Sequence, residues 1–258
     1  MSVFDTHCHL DSTAFDPDRK RVLAACRDKK IDHILVPAIE RAGWDGLLRL
    51  CEQEKGLYPA LGLHPMFTAQ HTEQHLEQLQ HYLTEHRPLV VGEIGLDFFI
   101  DRPDKDRQLA FFSAQLDIAR NANLPVVLHI RKAHDQVLSL LRKHPVRGGF
   151  AHAFNGSLQQ AQQFIELGFK LGFGGTLTYE RSHKIRELAR TLPLESIVLE
   201  TDAPDMAVAA HRGKRNSPEY ILDCLKALAE LRDEDPQFIA KYTTDNAFQV
   251  LGIQEGTD

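Results

Sequence analysis

Val90-Val91-Gly92-Glu93-Ile94-Gly95-Leu96-Asp97 reads as a buried β-strand with a carboxylate set into it. A short run of aliphatic and β-branched residues without polar alternation is what a strand covered on both faces looks like. A carboxylate inside such a run is costly to bury unless it is paired or metal-bound. The glycines on either side let other groups approach Glu93 closely. The stretch therefore predicts a parallel sheet with chemistry near one end.

Working outward from 89–97, seven more strand-like runs occur, at 3–9, 31–38, 57–64, 125–130, 148–153, 170–174 and 197–202. Amphipathic stretches near 17–29, 43–54, 72–86, 105–121, 133–143, 157–167 and 182–190 separate them, and two more follow near 218–232 and 236–250. Helix signals support these. Ser217-Pro218 and Asp235-Pro236 each set a capping side chain before a proline at the first helical position, and Gly168 closes the 157–167 segment. Ile221, Leu225 and Leu228 recur on one helical face. Eight strand–helix units with no linker or shift in composition predict a (β/α)8 TIM barrel of the metal-dependent hydrolase type, one domain over 1–258. An open doubly wound sheet is the alternative.

A formal charge of −6 excludes a global basic field for long nucleic acid, so any phosphate contact must be local. Cys8, Cys26, Cys51 and Cys224 lie far apart with no CxxC pair, which suits free thiols in a reducing compartment. The chain opens on a strand-like segment rather than a leader, and no apolar run nears the ~18 residues of a membrane span. A cytoplasmic protein, without a membrane or an obligate protein partner, is the expectation.

The polar residues fall at the C-terminal ends of the strands, where barrels of this kind place their active sites. There stand His7 and His9, His64, Glu93 with Asp97, His129, His152 and Asp202. By strand alternation Asp5, His7 and His9 share one face and Cys8 the other, so His-x-His offers two imidazoles to one point. Any one histidine alone reads better as a hydrogen-bonded core residue; together with Glu93 they read as ligands. Glu93 has two oxygens and can bridge two cations ~3.5–4 Å apart. Asp202 can both bind metal and accept a proton from water, with Glu200 of the same parity as its supporting partner. Asp5 and Asp97 are further supporting carboxylates. Imidazole with carboxylate suits two divalent ions such as zinc, magnesium or manganese. The remaining histidines, His71, His75, His81 and His86 among them, read as surface residues without a role.

Barrel hydrolases that cut amides often carry a lysine at the end of strand four; 89–97 has none, and Glu93 occupies that place. Candidate phosphate partners surround the mouth: His64, Arg131, and the Arg212-Gly213-Lys214-Arg215 loop after strand eight, of which Arg212 and Lys214 are the nominees.

With these motifs assembled, the chain resembles the TatD family of metal-dependent deoxyribonucleases. The resemblance spans Asp5-Thr6-His7-Cys8-His9, Gly62-Leu63-His64-Pro65, Gly92 to Asp97, His129, His152, Glu200-Thr201-Asp202-Ala203-Pro204, Arg212 to Asn216, and Thr243-Thr244-Asp245-Asn246-Ala247. It implies one metal on His7, His9, Glu93 and Asp202, and a second on Glu93, His129 and His152. It also implies 3′-to-5′ cleavage of DNA, with Asp202 and Glu93 catalytic. The chain departs from the family pattern at His152-Ala153-Phe154-Asn155-Gly156, at Asn216-Ser217-Pro218 and at Asp205, which bears on substrate preference. A metal-dependent ester or amide hydrolase is the alternative activity for the same dinuclear site.

Overall fold

The apolar runs form eight strands: β1 Val3–Asp5, β2 Ile31–Pro37, β3 Leu57–Leu61, β4 Val90–Asp97, β5 Val126–Arg131, β6 Gly149–Ala151, β7 Phe169–Phe173 and β8 Ile197–Leu199. They lie in chain order in one sheet, and every neighbouring pair is parallel. This structure is a computed structural model, and it describes residues 2–254.

The two edges of the sheet meet just past the regular strands. Thr6 N–H donates to Leu199 O at 3.0 Å, Asp202 N–H to His7 O at 2.8 Å, and His9 N–H to Ala203 O at 2.8 Å. Cys8 and Ala203 form a parallel bridge there. These bonds close the barrel and leave no long unpaired edge.

Helices α1 Arg19–Asp28, α2 Trp44–Gln53, α3 Glu73–His86, α4 Lys105–Asn121, α5 His134–Lys143, α6 Leu158–Glu166 and α7 His183–Thr191 connect successive strands. Helices α8 Ile221–Arg232 and α9 Pro236–Leu251 follow β8. Asp235 accepts from Gln237 N–H and caps α9, and Gly168 follows α6 in the left-handed region at φ +85°. Ser217 behaves differently from its expected role. Its side chain makes no cap bond, and Pro218–Tyr220 form a 3-10 turn before α8 begins.

The barrel's interior is stratified. Phe4, Leu35, Ala60, Val90, Val127, Phe150 and Val198 come from seven strands and form one buried cluster, which is possible only inside the barrel. Phe248, Val250 and Leu251 of α9 belong to the same cluster, so the last helix plugs the end where the strands begin. The larger apolar cluster packs strands against the surrounding helices. With one end stoppered by hydrocarbon, polar side chains have room only at the opposite mouth.

Several strands stop earlier than their sequence suggests. β1 ends at Asp5, β3 at Leu61, β6 at Ala151 and β8 at Leu199, so His7, His9, His64, His152 and Asp202 sit on the turns that leave the barrel. A bend at Thr6 breaks the alternation. Asp5 consequently does not share a face with His7 and His9, contrary to the parity argument; its carboxylate serves backbone groups instead, as described next.

Candidate metal centre

Glu93 stands at the centre of the mouth and is 1% exposed. Its Oε2 lies 3.2 Å from His7 Nε2 and 3.5 Å from His9 Nε2. Its Oε1 lies 3.0 Å from His129 Nδ1, 3.3 Å from His64 Nε2 and 3.9 Å from His152 Nε2. Each carboxylate oxygen therefore faces its own set of imidazoles. Gly95, at φ +146°, lets β5 come close to β4: a Cβ there would fall 2.0 Å from His129 O.

Asp202 completes the first set. Its Oδ1 is 3.7 Å from His7 Nε2 and 3.6 Å from His9 Nε2, and those two nitrogens are 3.3 Å apart. Ligands ~2.0–2.1 Å from one tetrahedral ion stand ~3.3 Å from each other, so these separations match the edges of a coordination polyhedron. Three groups of donors lie within 4.8 Å of one another: His7, His9 and Asp202; His7, Glu93 and His152; and His64, Glu93 and His129. The residues fit divalent cations. One assignment shifts: His64, nominated for phosphate, joins the ligand groups, while His152 falls with His7 and Glu93 rather than with His129.

Around these atoms stand groups that aim them. His9 Nδ1 lies 3.1 Å from Pro37 O, which leaves Nε2 for the cluster. His152 Nδ1 lies 3.1 Å from Glu200 Oε1, which also accepts from Ala153 N–H at 2.6 Å. A carboxylate behind an imidazole fixes its tautomer and raises its basicity. His129 Nε2 meets Asp97 Oδ2 at 3.0 Å. Asp5 accepts from the backbone N–H of His7 and of Thr201 and from the Thr201 hydroxyl at 2.6 Å, so it ties the β1 and β8 turns together.

Burial and charge set the protonation pattern. Burial favours the neutral acid at Glu93, but the histidines His64 and His7 and the His129 hydrogen bond outweigh it and hold the carboxyl well below its usual range. Burial pushes Asp202 up to about 6 despite His152 and His9, and Asp5 up to about 8 despite its hydrogen bonds. Burial works against charge on His152, yet Glu200 and Asp202 raise it to about 10. Burial takes His7 well below its usual value and His64 to about 4, as befits neutral ligand nitrogens.

Arg131 reaches the mouth, 4.0 Å from Asp97 Oδ2 and lining the cavity that contains His129, His152 and Asp202. Arg212 and Lys214 do not: they sit on an exposed turn and line neither mouth cavity. Their neighbour Arg215 is bound to Asp18 and Ala14 O. Several residues escaped sequence reading. Gln108 of α4 brackets the Asp97 backbone, accepting its N–H at 2.8 Å and donating to its O at 2.9 Å, and Gln115 does the same for Leu63. Their signal was two glutamines seven apart on the apolar face of a helix. His71 is buried rather than superficial, with Nε2 2.9 Å from His64 O.

Residues 4–252 match the family model described as TatD related DNase. The chain belongs to the TatD family. It is 42% identical over 253 residues to the uncharacterized metal-dependent hydrolase YjjV of Escherichia coli (strain K12), across 96% of this chain and 97% of that one. The crystal structure of YjjV, a TatD homologue, superposes with a TM-score of 0.94 at 41% identity, covering 98% of both chains. The 3′-5′ ssDNA/RNA exonuclease TatD of Klebsiella pneumoniae (strain 342) is 30% identical over 258 residues, across 97% of this chain and 98% of that one. The protein is thus a TatD-family metal-dependent hydrolase on a parallel eight-stranded barrel, with clustered histidines and carboxylates able to hold metal. No helix among the described residues is long and apolar enough to cross a membrane.

Proposed function

We propose that this TatD-family hydrolase is a phosphodiesterase acting on DNA, with a dinuclear site bridged by Glu93. The observation that carries this reading is the partition of Glu93's two oxygens between two sets of imidazoles. Two ions flanking one carboxylate suit in-line displacement at phosphorus. His7, His9, His152 and Asp202 would surround one ion and His64 and His129 the other, each set with Glu93. Bound there, the ions would supply Lewis acidity, lowering a water's pKa and polarising a phosphoryl oxygen.

The chain's own groups do the rest. Asp202, lining the mouth cavity beside His7 and His9, stands where its carboxylate can accept a proton from an attacking water. Glu200 and Asp97 keep His152 and His129 turned toward the site. Arg131 stands at the cavity wall, where a guanidinium orients a phosphate without reading a base. The relative named as an exonuclease supports the phosphodiester over other bonds. Zinc, magnesium and manganese all accept this donor set.

A carboxylic ester or amide substrate is the second reading, and one feature favours it. Asp11, Glu40 and Asp205 line one side of the mouth and make that wall unfavourable for phosphate.

The test is cleavage of single-stranded DNA before and after chelation, with Mg²⁺, Mn²⁺ or Zn²⁺ restored, beside a carboxylic ester assay. Metal-restored DNA cleavage, reduced about 10²–10⁴-fold in Asp202→Asn with an unchanged circular dichroism spectrum, is the expected result. Ester turnover without DNA cleavage would move the second reading to first place. A fully active Asp202→Asn would remove the role given to that residue.

A further inference from the structure

Beside the metal-centre cavity, the loops after β4, β5 and β6 and the first turn of α7 enclose an open cleft of about 410 Å³. Phe99, Arg131, Lys132, His134, Asn155 and Lys184 are among its walls. It is continuous with the site, because Arg131 and Asn155 also line the cavity that contains His129, His152 and Asp202.

Its chemistry is unlike the rest of the mouth. Three cationic side chains converge on it in a chain whose formal charge is −6. Phe99 is 57% exposed there, with the Arg131 guanidinium 4.1 Å from its ring centroid. The platform is anchored to the site: Phe99 N–H donates to Asp97 Oδ1 at 2.9 Å, and Asp97 in turn meets His129. Lys184 is held in place by donating to Asn155 O at 2.6 Å, and an ammonium keeps two further donors. Asp135 stands at the outer edge, where it accepts from Gln160. Across the mouth, Asp11 and Glu40 give the far wall the opposite sign, while Asp205 lies in the cavity shared with Arg131 and Asn155.

An aromatic face among cations is how proteins hold single strands without reading sequence: bases stack and phosphates pair. We infer that this cleft is the path by which a single-stranded nucleic acid extends from the metal centre, one base stacking on Phe99 and the adjoining phosphates meeting Arg131, Lys132 and Lys184. The inference rests on the phosphodiesterase reading above and adds to it where the uncleaved part of the substrate lies. Asp11 and Glu40 disfavour phosphates on the far side of the mouth.

Binding, rather than turnover, tests it. Fluorescence anisotropy would compare phosphorothioate oligothymidylates of two and eight nucleotides, which resist cleavage, on the metal-loaded full chain. The eight-mer is expected to bind more tightly than the two-mer. Phe99→Ala should weaken the eight-mer about tenfold, and Phe99→Trp, which keeps an aromatic face, should restore it. Lys132→Ala with Lys184→Ala should flatten the slope of log affinity against log salt by about 1.4, at ~0.7 per phosphate contact.

Equal affinity for both lengths, or wild-type affinity in the Phe99→Ala chain, would overturn the assignment. Hydrolysis of bis(4-nitrophenyl) phosphate, too small to reach the cleft, reports on the phosphodiesterase reading separately. Turnover of that ester without Phe99-dependent binding sinks the cleft and spares the reading. Phe99-dependent binding without turnover does the reverse, leaving the cleft as a nucleic-acid surface.

Discussion

Glu200 is 2% exposed, with Oε1 on His152 and Ala153 and Oε2 without a hydrogen-bond partner. The space it occupies exists because residue 172 has no side chain. A Cβ on Gly172 would lie 2.0 Å from Glu200 Oε2, inside any allowed contact. Gly172→Ala should therefore displace the carboxylate that aims His152. Overpacking of this kind costs about 1–3 kcal/mol. We expect a lower melting temperature together with a fall in kcat larger than any change in KM. A variant with wild-type melting and kinetics would show that Glu200 has room to move and that its position is not critical.

At the scale of elements, α4 is a structural strut for the site. Gln108 pairs with both backbone groups of Asp97, and Asp97 holds His129. Gln108→Ala leaves a buried N–H and C=O without partners, at about 1–3 kcal/mol. Loss of stability and of activity together is expected, with partial recovery in Gln108→Glu through its remaining acceptor. The turn after β8 is tied to the turn before α1 by Asp18, which meets Arg215 at 2.7 and 2.9 Å and also pairs with Arg21. Those guanidiniums lower the Asp18 carboxyl from its usual 3.8 to about 2. A depressed carboxyl stabilises the fold above its unfolded value and loses that contribution as pH falls through its folded value. Between pH 4 and pH 2 the melting temperature of Asp18→Asn should therefore fall less steeply than that of the parent, as a calorimetric pH series would show.

Elements with a complete signal were legible in the sequence. The 105–121 helix matches α4 at both ends, and the fourth strand runs to Asp97 as read, with a shift of register against β5 between Val91 and Ile94. Where reading failed, long-range contacts decided the outcome. β1 gives up its pleat at Thr6 because the following residues must bond to β8, which lies almost two hundred positions away. The alternation that placed Asp5 beside the histidines could not anticipate that. The histidines and carboxylates that gather at the mouth were readable as polar groups ending apolar strands. Gln108, Gln115 and Phe99 were not, because a glutamine in a helix and a phenylalanine in a loop acquire meaning only from what folds against them.

For the whole molecule, the mouth concentrates buried carboxylates and imidazoles that are at best partly neutralised by one another, whereas the opposite end is hydrocarbon. Cations that bind only the folded arrangement stabilise it by mass action, about 4 kcal/mol at a thousandfold excess over Kd. In a chain of this size that amounts to roughly 10 °C in melting temperature. Chelation should lower the transition and re-added Zn²⁺ or Mn²⁺ restore it, and scanning calorimetry with metal analysis would measure both. An unchanged transition would mean that the donor cluster is stable without cations.

The hydrogen bonds that join the β1 and β8 turns have a bearing on synthesis as well. His7 and His9 leave the ribosome long before Asp202, which emerges only after all eight strands have been made. A growing chain thus carries imidazoles long before it carries the aspartate that completes their set. Seam bonds spanning nearly the whole polypeptide are also the slowest to form, since loop closure must precede them. The full set of histidines and carboxylates at the mouth therefore comes together only on a chain that has closed its barrel, and copies truncated before Asp202 lack it.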